Sequence, residues 1–202
     1  MAIVCARTDT VEEYRSAGRH VEVPRPNCPT CGEPMTFSSG YEREVRTPFA
    51  PEAGADRRQR IWIRRAYCRH CRSAPGILPS FCLSRRLDVV EVVGTVIAAV
   101  AAGATVAAAA EEQAIPRSTA RGWISRFAER APGIANRFAS LAIDLGSGPF
   151  SLSAQPARAA VEAIGRALQA ARRKRAGNVV GVWQFVSVVS GGALLATSKS
   201  PP

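Results

Sequence analysis

Apolar residues between positions 103 and 130 recur at helical spacing in two short stretches, with a break around Ala114 to Ser118. In the second stretch, Ala120, Trp123, Ile124 and Phe127 fall within one stripe of a helix. The opposite side carries small polar residues and arginines. This division predicts an aromatic stripe packed inward and an outer face that fits a DNA major groove, where arginine can pair with guanine.

The first stretch runs from Thr105 to Gln113 and places small alanines on one face, which lets two helices cross at short distance. Pro116 cannot continue this helix, because it lacks an N–H and clashes with the preceding turn. Ser118 is a natural N-cap for the second helix. The pattern therefore predicts a helix-turn-helix, and the alternative is an ordinary alanine-rich helical hairpin with a solvated arginine face.

A longer apolar stretch, Leu87 to Ala102, predicts a third helix with Asp88 near its start, where a carboxylate suits the helix dipole. Together the three helices match the unit that such DNA-binding domains use. The run from Val89 to Ala110 is also long enough to cross a bilayer. About half of it is Ala and Gly, which insert poorly, so a folded helix is favoured over a membrane span.

Two strands are predicted ahead of these helices, over Thr36 to Arg46 and Ile61 to Tyr67, because polar and apolar residues alternate there. Between the strands, Thr47 to Gln59 is rich in proline and charge and predicts a loop.

Two cysteine pairs bracket this hairpin: Cys28 with Cys31, and Cys68 with Cys71. Two thiolates separated by two residues form a tight turn that aims both sulfurs at one ion, so the four predict one structural zinc ion in a zinc ribbon. The second pair is followed by Arg72 where the first is followed by glycine. The alternatives are two unrelated pairs or a redox dithiol.

The other two cysteines, Cys5 and Cys82, fall outside this pattern, and Cys82 is expected to pack as a small apolar residue. His70 lies inside the second pair, where a further ligand would strain the turn. It is therefore expected to face solvent or phosphate.

Beyond Arg130, the segment Ala131-Pro132-Gly133 is expected to end the recognition helix. Ile134 to Leu145 predicts a further short helix, and Gly146 to Gln155 predicts a linker. Only two carboxylates follow the helix-turn-helix, and about 70 residues cannot house the three-carboxylate domain that a transposase active site needs. The sequence therefore predicts no enzyme.

The last third of the chain predicts an amphipathic helix from Ala157 to Ala176 that ends in a basic cluster, Arg172, Arg173, Lys174 and Arg175. The cluster either caps the helix with positive charge or contacts phosphate. Val179 to Val189 is apolar, too short for a membrane span, and expected to pack on the preceding helix or on a second protomer.

The amino-acid composition also indicates the class of partner that the protein binds. The net charge is +11 over 202 residues, and all but two of the 27 basic residues are arginine. A protein this basic usually meets a polyanion, and arginine suits bidentate phosphate and guanine contacts. The first residues carry acidic groups where a leader would need an apolar stretch, so a cytoplasmic, nucleoid-associated protein is expected.

The run from Thr105 through Trp123 to Phe127 resembles the homeodomain-like helix-turn-helix of bacterial transposases and their relatives. One departure is Ala114, where that family usually has glycine at the tight turn. The cysteine region, with Arg64-Arg-Ala-Tyr-Cys-Arg-His-Cys, Leu78-Pro-Ser-Phe and Arg85-Arg86, resembles zinc ribbons that precede such domains. Residues 26 to 130 as a whole resemble an uncharacterised bacterial family that combines the two, a domain of unknown function.

These observations predict an α+β, mainly α protein. We expect an N-terminal lead over residues 1–25, a zinc ribbon with an inserted loop over 26–84, a three-helix helix-turn-helix domain over 85–131 and a helical tail over 132–202.

The expected function is sequence-specific binding of double-stranded DNA in a transposon-related or regulatory role. The alternatives are the DNA-recognition subunit of a transposase or recombinase, and an RNA-binding zinc ribbon. Self-association through the C-terminal segment is a further expected contact. The residues expected to contact DNA are Arg117, Ser118, Thr119, Arg121, Ser125, Arg126, Arg172, Arg173, Lys174 and Arg175.

Overall fold

The computed structural model describes residues 2–7, 9–47, 57–174 and 181–196. Within these ranges the protein is α+β, with six α-helices and one four-stranded sheet whose strand order is β1-β4-β3-β2. The strands are β1 (Ile3–Val4), β2 (Thr36–Arg46), β3 (Arg58–Tyr67) and β4 (Gly76–Leu78). β3 is antiparallel to both of its neighbours, β2 and β4, whereas β1 runs parallel to β4.

The β2–β3 hairpin forms because alternate residues of β3 are apolar. Ile61 and Ile63 are buried on one face, whereas Trp62 and Arg64 lie on the other face and stay partly exposed. β3 begins at Arg58, three residues before the predicted start. The predicted loop begins after Arg46 as expected and is shorter only at its C-terminal end, and residues 48–56 within it lie outside the described residues.

The helices are α1 (Val11–Ala17), α2 (Val90–Ala101), α3 (Val106–Glu112), α4 (Arg117–Asp144), α5 (Pro156–Arg173) and α6 (Val182–Val189). A short 3₁₀ turn, Gly18–His20, follows α1. The three predicted helices of the central region are thus present as α2, α3 and the first part of α4. None of the helices in the described part of the chain combines the length and the apolar character needed to cross a bilayer.

Helix α2 begins three residues later than predicted, because the chain before it extends the sheet. The backbone of Arg46 exchanges hydrogen bonds with Leu87 and Val89, at 2.8 and 3.1 Å. Asp88 is therefore buried beside the Arg46 guanidinium, 3.2 Å away, and does not serve the helix dipole as expected. Burial raises the pKa of Asp88, and Arg46 opposes that shift.

Helix α4 corrects the prediction that Ala131-Pro132-Gly133 ends the recognition helix. It continues through Pro132 to Asp144, so the short helix expected over 134–145 is its second half, and the boundary expected after residue 131 falls inside it. Pro132 removes the bond to the carbonyl of Ala128, but both positions are exposed, so water can satisfy that carbonyl. Burial of apolar residues on both sides of Pro132 offsets the cost of the proline.

The C-terminal apolar segment forms α6 and packs inside the chain against α2 and α5. The ring of Trp183 lies so close to Gly94 of α2 that a Cβ there would sit 1.9 Å from it. Phe185 packs edge-on against Phe138 of α4, with ring centres 5.9 Å apart. The Ser187 hydroxyl donates a 2.7 Å hydrogen bond to the carbonyl of Cys82, which links α6 to the sheet domain. One continuous core therefore joins the sheet to the helices.

Candidate metal centre and candidate nucleic-acid interface

The four cysteines of the two predicted pairs meet at the end of the β2–β3 hairpin. Their sulfur atoms all lie within 4.8 Å of one another, with 3.3 Å between Cys28 and Cys71 and 3.5 Å between Cys31 and Cys68. Ligands of a tetrahedral ion with metal–sulfur bonds of about 2.3 Å stand about 3.8 Å apart. The arrangement therefore fits one metal ion held by four thiolates, and the prediction that these cysteines form one cluster is confirmed.

Both cysteine turns use the same backbone geometry. Gly32 follows the first pair with φ +77°, and Arg72 follows the second pair with φ +56°. The left-handed region costs a non-glycine residue roughly 1–2 kcal/mol. Arg72 thus takes the conformation that its glycine counterpart adopts freely, and the missing glycine noted in the sequence does not prevent the second turn.

Backbone N–H groups aim at the sulfurs, as metal-thiolate turns require. The N–H groups of Thr30 and Cys31 lower the pKa of Cys28 to about 5. The N–H of Glu33 lowers the pKa of Cys31, but burial and the three neighbouring sulfurs outweigh it and raise that pKa to about 12. Four crowded thiols cannot all ionise without a cation, and a divalent ion would remove that obstacle.

Ser73 is a neighbour of the centre that the sequence analysis missed. Its hydroxyl lies 3.3 Å from the Cys71 sulfur and 3.8 Å from the Cys28 sulfur. A hydroxyl at this position can donate to a thiolate and support the ligand geometry. Its only signal in the sequence is its place two residues after the second pair.

The remaining cysteines and His70 stand apart from the cluster. Cys82 is buried, and burial raises its pKa to about 12, so it behaves as the small apolar residue that was predicted. Cys5 is also buried, and burial raises its pKa. His70 is exposed on the second cysteine turn.

Helices α3 and α4 meet at a turn whose central residue is Ala114. The Thr105 side chain caps the start of α3 by accepting a bond from the Ala108 N–H at 3.1 Å. Ala114 has φ +48°, so this position adopts the left-handed conformation that glycine takes most easily. The N-cap of α4 is Pro116, not Ser118 as predicted, because helical geometry already begins at Arg117. Ser118 lies in the first turn instead.

Helix α4 presents the two faces that its sequence predicted. Trp123 and Phe127 are buried, at 3% and 1% exposure, and Ile124 is half-buried at the edge of the stripe. On the other side three of the predicted DNA-contacting residues are exposed, Ser118, Arg121 and Ser125, and Arg117 is exposed at the first residue of the helix. The other two on this helix, Thr119 and Arg126, are half-buried.

Arg126 folds back onto its own helix and donates a 3.0 Å hydrogen bond to the carbonyl of Gly122. Arg86, in the loop before α2, lies near it and was missed by the sequence analysis. Burial, together with the Arg126 charge, lowers the pKa of Arg86. No acidic side chain of the described residues pairs with either guanidinium. The side of α4 next to Arg86 is therefore positively charged as well.

The basic cluster at the end of α5 is exposed as far as it is described. Arg172 and Arg173 lie in the last turn of the helix. Lys174 donates a 3.3 Å hydrogen bond to the carbonyl of Asp144 at the end of α4. Arg175 lies outside the described residues. Lys174 thus stabilises the end of α4, whereas Arg172 and Arg173 are exposed to solvent.

Arg57 connects the hairpin to the α3–α4 turn, which no sequence pattern indicated. It lies just before β3, and its guanidinium donates to the carbonyls of Gln113 and Ala114 at 2.9 and 2.7 Å. Its Nε also donates to the carbonyl of Thr47 at 3.0 Å. The hairpin end farthest from the cysteines therefore touches the turn that precedes α4.

Comparison with known proteins gives one family. Residues 28–123, just under half of the chain, match the sequence profile of a family described as a domain of unknown function (DUF6431). The match begins at the first cysteine of the cluster and ends at Trp123 in α4. It therefore covers the metal centre, the hairpin and the α3–α4 turn. No match to a curated protein or to a solved structure was found.

Proposed function

We propose that this protein binds double-stranded DNA in a sequence-dependent way, with α3 and α4 as a helix-turn-helix and the four cysteines holding one structural zinc ion. The observation that carries the proposal is the division of α4. Its aromatic side chains are buried, and Ser118, Arg121 and Ser125 are exposed together on the opposite side. Small polar residues permit close approach to base edges, and arginine reaches guanine.

Zinc is the metal that four thiolates in a tetrahedral cluster favour, since zinc prefers sulfur and nitrogen ligands in that geometry. All four ligands come from the protein, which leaves no open position for a substrate or a reactive water molecule. Cys28 and Cys68 are also fully buried. The ion therefore has a structural role, fixing one end of the hairpin.

The electrostatics support a polyanionic partner. The chain carries a net charge of +11, and Arg86 lies near Arg126 of α4. The two exposed arginines at the end of α5 adjoin Lys174, which contacts the carbonyl of Asp144 at the far end of α4, so they would meet phosphates away from Arg121. Such charges bind phosphates along the groove, while a helix inside the groove contacts the bases. With DNA as the partner, we also propose nucleoid association and a role in transcription or in transposition, in the latter case beside a catalytic chain.

Selection of bound duplexes from a random pool tests the proposal. We expect the zinc-loaded protein to enrich one short motif, at an affinity that falls steeply as salt rises. Enrichment of no motif, together with equal affinity for every duplex, would contradict sequence-dependent binding.

RNA binding is the second candidate, and the hairpin supplies the observation that favours it. The Arg64 guanidinium lies 4.8 Å from the ring centre of Phe37, and that of Arg19 lies 4.6 Å from Trp62. Phe37 is exposed on the same face of the hairpin. Aromatic and arginine planes of this kind stack on unpaired bases. Preference for a structured RNA over the selected duplex, in direct competition, would favour this candidate.

A further inference from the structure

The α3–α4 turn is held by a residue from a distant part of the chain. Arg57 lies 56 and 57 positions before Gln113 and Ala114, whose carbonyls accept its two Nη donors at 2.9 and 2.7 Å. The third contact, from Nε to the carbonyl of Thr47 at 3.0 Å, fixes the same side chain to the other strand of the hairpin. Thr47 and Arg57 also pair through their backbones at 3.0 Å. One planar guanidinium thus joins the hairpin end to the turn.

This turn needs support from outside. Helix α3 has seven residues, and a helix that short is not stable by its own hydrogen bonds. Its C-terminal carbonyls carry partial negative charge, which a guanidinium neutralises. Ala114 has φ +48°, a conformation that alanine leaves readily once external contacts are lost. The contacts of Arg57 therefore add to the turn's own backbone bonds, which run from the Ala114 N–H to the carbonyl of Glu111 at 2.9 Å and from the Ile115 N–H to the carbonyl of Ala110 at 3.0 Å.

The direction of α4 depends on this turn. Only Ile115 and Pro116 separate Ala114 from the start of α4, and Ile115 is buried. A change of backbone angle at Ala114 therefore changes where Arg117 and Arg121 point. Base contacts tolerate little misplacement, whereas phosphate contacts made by long flexible side chains tolerate more.

We propose that Arg57 is a positioning residue, which sets the orientation of α4 towards base edges without itself touching the bound nucleic acid. The proposal rests on the function proposed above. It gives the hairpin two tasks at its two ends. The cysteine cluster fixes one end, and Arg57, some ten residues or about 30 Å along β3, holds the turn at the other end.

The test compares Arg57→Gln and Arg57→Lys with a control, Arg60→Gln. Arg60 is an exposed residue of β3, so its replacement removes one charge from the same strand without touching the turn. Arg57→Lys keeps the charge but cannot place two planar donors on neighbouring carbonyls, and it provides a milder change if Arg57→Gln folds poorly. For each variant, zinc content, affinity for the selected duplex and a scrambled duplex, and amide hydrogen exchange are measured.

We expect both Arg57 variants to keep their zinc and to lose about tenfold or more in affinity for the selected duplex. Arg57→Gln should bind the scrambled duplex with the affinity of Arg60→Gln. Arg57→Lys should bind it with the affinity of the wild type. Amides from Ala114 to Ala120 should exchange faster in both Arg57 variants and at the wild-type rate in Arg60→Gln.

Three results would overturn the inference while leaving the proposed function intact. The first is unchanged discrimination between the two duplexes in both Arg57 variants. The second is an equal loss of affinity for both duplexes, which would place Arg57 on phosphate. The third is an unchanged rate of amide exchange at the turn. A wild-type protein that selects no duplex would overturn the proposed function, and the inference with it.

Discussion

Ala114 is one of three non-glycine residues in the described part of the chain with a left-handed backbone, together with Arg72 and Arg85. It occupies the left-handed region at φ +48°, which glycine adopts without a Cβ clash. Glycine also loses more freedom on folding, so only part of the strain is recovered. Ala114→Gly should therefore raise the free energy of unfolding by about 0.5–1 kcal/mol.

Urea unfolding followed by circular dichroism measures this gain. The control is Ala108→Gly, an exposed position inside α3, which should lower the free energy of unfolding by about 1 kcal/mol. If both substitutions destabilise the protein equally, the turn is not strained at Ala114.

The second prediction concerns the zinc content of cysteine variants. We expect one zinc ion per chain in the purified wild type, and loss of that zinc in Cys68→Ser, because a hydroxyl is a poor ligand and the site has no spare donor. Cys5→Ser and Cys82→Ser should keep full zinc, since neither sulfur belongs to the cluster. Metal analysis of the four proteins decides it. Full retention in Cys68→Ser, or a metal-free wild type, would contradict the assignment.

For single residues, the sequence predicts the metal ligands better than it predicts the side chains whose contacts support them or the turn. The four cysteines could be found because each pair is local and the two pairs repeat one spacing. Arg57, Ser73 and Arg86 could not be found, because the first and last donate to backbone carbonyls far along the chain and Ser73 acquires its role only when the two turns meet.

The elements depend on tertiary packing as well as on local signals. Hydrophobic spacing predicted β2, β3 and the helices from α2 to α5, but not β1, α1 or β4, and the expected helix ends were wrong where packing opposed them. Pro132 does not end α4, since Ala131 and Ile134 beside it are buried in the core. Ser118 does not cap α4, because Pro116 already presets the backbone for the first turn. Local signals therefore predict that an element exists better than where it ends.

Trp123 fixes α4 to the core, and its removal tests how that helix is oriented. Truncating a buried aromatic side chain costs about 3–5 kcal/mol, so Trp123→Ala should lower the free energy of unfolding by that amount. Ile124→Ala, at a half-buried position of the same helix, should cost much less. Denaturant unfolding followed by helical circular dichroism compares them. Equal, small effects would mean that Trp123 is not a core residue and that α4 faces the other way.

At the scale of the whole molecule, the sheet and the helices form one packed body with a metal centre at one end of the hairpin and the α3–α4 turn at the other. The α+β class could be predicted from periodicity, as could the order of β2, β3 and the helices from α2 to α5, although α4 was expected as two helices and β1, α1 and β4 were not predicted. The sequence led to the expectation that the segment of α6 packs on the preceding helix or on a second protomer. In the structure α6 packs against α5 and also against α2, where Trp183 lies on Gly94, a contact that the sequence did not indicate. The excess of arginine indicates the partner's charge, but nothing in the composition shows which face meets that partner.

The most direct measurement compares Arg121→Ala with the double variant Arg172→Gln, Arg173→Gln, on the selected and the scrambled duplex at several salt concentrations. Lys174 is left intact, because it contacts the end of α4. A base-contacting arginine contributes about 1–3 kcal/mol on its own site, and each phosphate contact changes the salt slope by about one unit.

We expect Arg121→Ala to lose about 5- to 150-fold in affinity for the selected duplex and almost nothing for the scrambled one. The double variant should weaken binding to both duplexes and make the salt dependence shallower. An equal loss on both duplexes in Arg121→Ala would place Arg121 on phosphate, and unchanged binding in both variants would contradict the assignment of α4 as the DNA-contacting helix.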